Sequence, residues 1–211
     1  MTEDYLEKKV AIVDYGCGNI GSVKNMFSKI EIWSEIVTSP DDLKNYDAIV
    51  LPGVGSFDNG VLRLKKSGFW DVIVSLVEQQ HVPILGICLG MQLFFERSEE
   101  GVENGFGWIP GALQKFDNTL DRVPHMGWND VEAVNNTGLI APTKNEFYFV
   151  HSYHAPIDLP SDYCVAMCNY TLTYPAAVKR DNIVGFQFHP EKSLSNGMEV
   201  LKNWFEQIVM K

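Results

Sequence analysis

Between Val82 and Gln92 an apolar run ends in a cysteine framed by two glycines: Pro83-Ile84-Leu85-Gly86-Ile87-Cys88-Leu89-Gly90-Met91-Gln92. Val82 to Ile87 is short, continuous and apolar, as expected of a strand buried on both faces. Gly-x-Cys-x-Gly then has the spacing of a nucleophile elbow, a sharp strand-to-helix turn that lifts one side chain clear of a sheet. Gly86 and Gly90 suit such a turn, where Cβ atoms would collide with neighbouring backbone. The helix it opens is expected to occupy Met91 to Arg97. A thiol at a helix start sits in the positive end of the macrodipole, which favours the nucleophilic thiolate. The competing reading is a structural cysteine at a strand end, since free cysteines are often buried.

The remaining composition narrows the partners. With 27 acidic against 17 basic residues the net charge is -10, which argues against nucleic acid or an anionic membrane surface. No apolar run approaches the ~20 residues that span a bilayer. The acidic start, Met1 to Lys8, lacks the basic-then-apolar order of a signal peptide. Cys17, Cys88, Cys164 and Cys168 are scattered rather than framed as a disulfide scaffold, and a reducing cytoplasm is the expected compartment. Cys164 and Cys168 lie in a strand-like segment without ligand spacing and read as packing. No cofactor or metal site is expected. A length of 211 residues with 45% hydrophobic content fits one domain, residues 1–211, with 1–8 as a short extension.

Strand and helix patterns alternate along the first half. Val10 to Val13 reads as a strand ending in Asp14-Tyr15-Gly16-Cys17-Gly18-Asn19, a tight turn that lacks the Gly-Lys-Ser/Thr of a phosphate loop. Ile20, Val23, Phe27 and Ile30 recur at helical spacing. Glu31 to Thr38 is expected to return as a strand, with Ser39-Pro40-Asp41-Asp42 capping a short helix. Ala48 to Leu51 is a buried strand stopped by Pro52-Gly53-Val54-Gly55, a turn whose backbone reorients cheaply. Leu64 to Gln80 is mainly helical, interrupted near Gly68. This alternation predicts an α/β fold: a mostly parallel open sheet flanked by helices, with ligands at the carboxyl ends of its strands. Beyond Gly101, short strands such as Asp130 to Val134 and Glu146 to Val150 suggest a small antiparallel extension. Ile183 to Phe188 is a further strand, and Asn196 to Met210 a closing amphipathic helix.

Immediately after that last strand stands His189-Pro190-Glu191. Along an extended backbone alternate side chains share a face, so His189 and Glu191 can point the same way. A carboxylate beside a histidine sets its tautomer and stabilises the imidazolium. Taken alone, the tripeptide could equally be a surface turn. With the elbow it makes Cys88, His189 and Glu191 a candidate triad.

At this point a resemblance becomes specific. Gly86-Ile-Cys88-Leu-Gly90-Met-Gln92 with Phe188-His189-Pro190-Glu191 resembles the class I, triad-type glutamine amidotransferases, whose fold is flavodoxin-like. Further stretches are similar to the glutaminase subunits of imidazole glycerol phosphate synthases over nearly the whole chain. They are Asp14-Tyr-Gly-Cys-Gly-Asn19, Pro52-Gly-Val-Gly-Ser-Phe-Asp58, Pro124-His-Met-Gly-Trp-Asn129, Phe147-Tyr-Phe-Val-His-Ser-Tyr153 and Glu191-Lys-Ser193.

The resemblance implies that Cys88 attacks the side-chain amide of glutamine, with His189 as general acid and base and Glu191 orienting it. It implies oxyanion donors at Leu89 and in the Gly53-Val54-Gly55 loop, and a glutamine site at Gly55, Gln92, Glu100, Ser152 and Tyr153. Glu96 and Glu99 compete with Glu100 for the substrate ammonium. The implied partner is a (β/α)8-barrel cyclase subunit that receives the ammonia in histidine biosynthesis, docking around Asn19, Met126, Trp128 and Lys192. Two departures bear on the acceptor: Gly21 stands where histidine-pathway members often carry a basic residue, and His154 where they often carry tyrosine. Amidination of a bacterial surface sugar is therefore an alternative use of the same ammonia. A catalytically silent binding module is a third reading, which the intact triad disfavours. A cysteine peptidase of this fold usually has histidine directly after the nucleophile, where this chain has Leu89.

Overall fold

Residues 7–119, 122–142 and 145–211 are described by a computed structural model. Of the expected extension over 1–8, residues 1–6 lie outside them. The chain runs β1 (Val10–Val13), α1 (Ile20–Lys29), β2 (Ser34–Val37), β3 (Ala48–Gly53), α2 (Phe57–Ser67), α3 (Phe69–Val74), β4 (Ile84–Cys88) and α4 (Leu89–Gln92). It continues through β5 (Phe95–Ser98), β6 (Ile109–Lys115), β7 (His125–Ala133), β8 (Asn145–His151), β9 (Tyr153–His154), β10 (Cys164–Asn169), β11 (Thr173–Arg180), β12 (Ile183–Phe186) and α5 (Leu194–Trp204).

A nine-stranded sheet has the order β2-β1-β3-β4-β12-β11-β10-β7-β8. The first five strands are parallel and the last four continue the same sheet in antiparallel pairing. Strands β5, β6 and β9 form a separate small sheet. The expected fold class holds, with the antiparallel part an unbroken continuation of the parallel one.

Alternation along the strands divides the core in two. Val10, Ile12, Val50 and Leu85 pack with Val23, Phe27, Leu201 and Trp204 of α1 and α5. Ala11, Val13, Ile49 and Leu51 pack with Val61, Leu64 and Phe69 of α2 and α3. Strands covered on both faces must be apolar at every position, which is why β1, β3 and β4 read as continuous runs. Gly68 separates α2 from α3 in the left-handed region (φ +80), as the interruption in the pattern predicted.

Two expectations are corrected. Helix does not continue from Met91 to Arg97: α4 stops at Gln92 and Phe95–Ser98 is a strand. The carbonyls of Leu93, Phe94, Phe95 and Glu96 accept from the N–H groups of Phe106, Ile109, Gly107 and Gly105, so tertiary partners replace the helical ladder. Met91, Leu93, Phe94 and Phe95 are all buried while Glu96 and Arg97 are exposed, so the apolar side chains cluster consecutively rather than along one helical stripe. Ser39 does not cap the following short helix; Pro40–Asn45 is a 3-10 turn and Ser39 makes no side-chain cap bond. At α1 the cap is Asn19, whose Oδ1 accepts from Ser22 N–H at 3.4 Å. That loop is the tight turn the sequence suggested, with Gly16 and Gly18 at positive φ.

Candidate active site at the carboxyl ends of the central strands

Cys88 ends β4 at φ +54, ψ -109, a backbone conformation that a β-carbon resists. The surrounding chain holds it there. A Cβ on Gly86 would lie 2.6 Å from Met91 N, and one on Gly90 would overlap the Leu51 carbonyl oxygen. Both glycines are thus required by the close passage of neighbouring backbone, as the elbow spacing implied.

The register brings the other candidates alongside. Gly53 of β3 is the direct partner of Cys88, so the Gly53-Val54-Gly55 turn borders the sulfur, with Gly55 at φ +112. On the other side Phe186 of β12 pairs with Ile87, which carries the chain to His189 three residues later. His189 Nδ1 and Glu191 Oε1 are 2.7 Å apart, with both side chains nearly inaccessible at 2% and 3% exposure. This contact corrects the extended-backbone expectation. Pro190–Lys192 is a 3-10 turn, and Glu191 curls back onto His189 across it. Backbone bonds pin the turn: His189 N–H donates to Tyr148 O (2.9 Å), and Ser193 Oγ donates to His189 O (2.6 Å).

Burial opposes charge on His189, but Cys88 and then Glu191 outweigh it and raise its pKa to about 10. Its Nε2 has no hydrogen-bond partner at ordinary distance. Cys88 thus lies close enough to favour the imidazolium without a bond of ordinary length to Nε2. Glu191 holds Nδ1, so Nε2 is the nitrogen left to exchange a proton with the thiol or its substrate.

Cys88 opens on a cavity of about 270 Å³ lined by Val54, Gly55, Gln92, Glu100, Pro124, Val150, His151, Ser152 and Tyr153. All five predicted glutamine-site residues thus share one cavity with the thiol. Among the three acidic candidates the structure selects Glu100; Glu99 instead accepts from Lys115 N–H at 2.8 Å and Glu96 is exposed. Glu100 Oε2 takes the Phe57 N–H at 2.8 Å, capping α2, so the cavity's acidic group is held rigidly.

Gln187 is the residue that sequence reasoning missed. Fully buried, it donates from Nε2 toward Cys88 Sγ at 3.7 Å and accepts through Oε1 from Gln92 Nε2 at 3.0 Å. Its signal was a lone amide between Phe186 and Phe188 at a strand end, where an apolar residue would be routine. His151 was likewise overlooked as a cavity residue. Burial pushes its pKa down to about 3, so the ring is neutral.

Three of the four residues expected to meet a partner share an exposed patch. Met126 and Trp128 stand on one face of β7, 62% and 47% exposed. Trp128 meets Tyr148 edge-on at 6.1 Å, and Lys192 Nζ lies 5.2 Å over the Tyr148 ring. These form one patch. Asn19 is exposed on the β1–α1 turn and serves as a helix cap there. Cys164 and Cys168 are packing residues in β10, and burial raises their pKa values to about 11 and about 12. Among the described residues no helix is long and apolar enough to cross a membrane.

Comparison with known proteins agrees with this arrangement. Residues 11–208 match the glutamine amidotransferase class-I family. The chain is 44% identical over 203 residues to the imidazole glycerol phosphate synthase subunit HisH of Bdellovibrio bacteriovorus, covering 93% of this chain and 99% of that protein. It is 43% identical to subunit HisH 2 of Pseudomonas aeruginosa, covering 94% and 100%. A crystal structure of a glutamine amidotransferase superposes with a TM-score of 0.73 at 18% identity, covering 94% of this chain and 98% of that one. The PurLQS structure from Thermotoga maritima gives 0.70 at 16%, covering 95% and 99%. The two structures are alike in fold.

Proposed function

This chain belongs to the class-I glutamine amidotransferase family, and on that premise we propose that it is the glutaminase subunit of an imidazole glycerol phosphate synthase, supplying ammonia for histidine biosynthesis in the cytoplasm. The observation that carries the chemistry is Cys88, held in a strained elbow over a cavity beside a buried His189–Glu191 pair. The names of the similar subunits favour the histidine-pathway acceptor over a surface-sugar precursor.

In this reading Cys88 thiolate adds to the side-chain carbonyl carbon of glutamine. The oxyanion is met by Leu89 N–H, the first of the helix after the elbow, and by an N–H of the Gly53-Val54-Gly55 turn. His189 gives its proton to the amide nitrogen, the C–N bond breaks, and ammonia leaves a γ-glutamyl thioester. Water, deprotonated by His189, then displaces the thiolate and releases glutamate. Glu191 keeps the imidazole oriented throughout. Gln92, Ser152 and Tyr153 hold the amino acid, and the Glu100 carboxylate faces its ammonium.

The barrel partner would receive the ammonia and recognise the phosphorylated acceptor, which suits this chain's own net charge of -10. Free hydrolysis would waste glutamine, and the turn beside Cys88 has the freedom to withhold an oxyanion donor until docking. Losing one such donor typically costs about a hundred- to thousandfold. Glutamate release should therefore rise by about that factor when the barrel subunit and its acceptor are added, with imidazole glycerol phosphate as the product. Equal turnover with and without them would sink the reading of partner control, and a different product would reassign the acceptor.

The exposed patch of Met126, Trp128 and Lys192 is the proposed docking face. A buried interface tryptophan is worth about 2 kcal/mol or more on truncation, against about 1 kcal/mol or less for an exposed charge over an aromatic ring. Trp128→Ala should weaken binding of the barrel subunit more than Lys192→Ala does. Titration calorimetry reads this, with circular dichroism confirming that both variants fold. Unchanged affinity in folded Trp128→Ala removes it from the interface.

A further inference from the structure

Behind the glutamine cavity lies a buried aromatic and polar cluster that the chemistry above does not use. His125 begins β7, His151 ends β8 as its direct partner, and Tyr174 lies on β11; their side chains are buried. The Tyr174 hydroxyl is 3.0 Å from His125 Nδ1 and 3.1 Å from His151 Nε2, so one oxygen bridges both rings. The Cys168 thiol also interacts with that hydroxyl.

Chemistry assigns every proton along this path. His151 Nδ1 faces the Tyr153 carbonyl at 2.8 Å, and a carbonyl only accepts, so Nδ1 carries the hydrogen. In the neutral ring Nε2 is then bare and accepts from the Tyr174 O–H. With that hydrogen spent, the Tyr174 oxygen can only accept from His125 Nδ1–H. His125 Nε2 is left as acceptor for Asn129 Nδ2, 3.4 Å away. Donation thus runs in one direction from Asn129 through His125, Tyr174 and His151 to the Tyr153 carbonyl. The same carbonyl accepts from Gln92 Nε2 at 3.1 Å, and Gln92 leads through Gln187 toward Cys88. One end of the chain lies in β7, where His125 and Asn129 bracket the exposed Met126 and Trp128 in sequence; the other is a wall of the catalytic cavity.

We propose that Tyr174, with His125 and His151, positions the glutamine pocket: its bridging hydroxyl locks the Tyr153 backbone against the strand that carries the docking face. This rests on the glutaminase reading, in which Ser152 and Tyr153 contact the substrate. Tyr174 touches neither glutamine nor the thiol, so its effect falls on substrate binding. Without the hydroxyl two buried ring nitrogens lose their partner, and the His151 ring loses the bond that sets its orientation.

The test compares the unsubstituted chain with Tyr174→Phe, each bound to the barrel subunit, by glutamate release across glutamine concentration. The KM for glutamine is expected to rise about tenfold with kcat within about twofold, at unchanged affinity for the barrel and unchanged circular dichroism. His125→Leu, which removes the donor to Tyr174, should raise KM roughly threefold to fivefold. His125→Asn, with an amide N–H near the Nδ1 position, should stay within about twofold of the unsubstituted value. The His125 pair decides the matter if Tyr174→Phe fails to fold. A normal KM in folded Tyr174→Phe, or in folded His125→Leu should the tyrosine variant not fold, overturns the inference even if the melting temperature drops, because the cluster is then only packing. An unsubstituted complex that releases no glutamate overturns the glutaminase reading and this inference together.

Discussion

Cys88→Ala is expected to abolish glutamine hydrolysis, by a factor on the order of 10⁵ or more, the scale seen when a covalent nucleophile is removed. Folding should be intact. The sulfur is one atom in a buried elbow, its nearest polar contacts are long (3.7 Å to Gln187 Nε2 and 3.9 Å to Val150 O), and alanine meets the same backbone strain at φ +54 as cysteine does. The complex with the barrel subunit should still make product from added ammonium, because the thiol serves only to liberate ammonia. Parallel assays with glutamine and with ammonium separate the two roles. Near-normal glutamine-dependent synthesis by the variant would reject Cys88 as nucleophile. Loss of both activities would point to damaged docking or folding.

Glu191→Gln should lower kcat by about a thousandfold while leaving partner affinity unchanged. The carboxylate sits 2.7 Å from His189 Nδ1 with almost no access to water. A neutral amide there no longer stabilises the imidazolium and no longer enforces the tautomer that presents Nε2 to the thiol. The pH profile gives an independent readout. The His189 pKa is raised to about 10: burial opposes its charge, but Cys88 and then Glu191 outweigh that. The step that expels ammonia needs His189 protonated, so that step is lost as pH rises through that pKa. Removing the Glu191 charge lowers the pKa, and the alkaline loss should begin at lower pH in Glu191→Gln. A variant with the same alkaline limit and a near-normal rate would show Glu191 to be a packing residue.

How legible the site was depended on whether a residue's role is local. Cys88, Gly86 and Gly90 belong to one turn, and the collisions that exclude a β-carbon arise from backbone within or directly beside it, so spacing alone revealed them. His189 and Glu191 are two apart and meet across a single turn; the pairing was readable although the 3-10 geometry was not. Gln187 and His151 were invisible because a buried amide or imidazole gains its meaning from partners 99 and 23 residues away in sequence. The false helix over Met91 to Arg97 failed for the same reason. Its carbonyls found donors at Gly105 to Ile109, a choice that no local pattern records.

By itself the sequence determined the alternating strands and helices, the elbow, the candidate triad and the acidic surface, because these follow from periodicity, glycine placement and charge. Only the tertiary structure decided which of three glutamates enters the cavity. It also decided that Met126, Trp128 and Lys192 share a patch, and that Tyr174 bridges His125 of β7 to His151 at the pocket wall. Those outcomes depend on sheet register. The pairing of β7 with β8, and of β10 with β11 beside them, brings distant residues within hydrogen-bond reach, and a slip of one residue would turn each side chain to the opposite face.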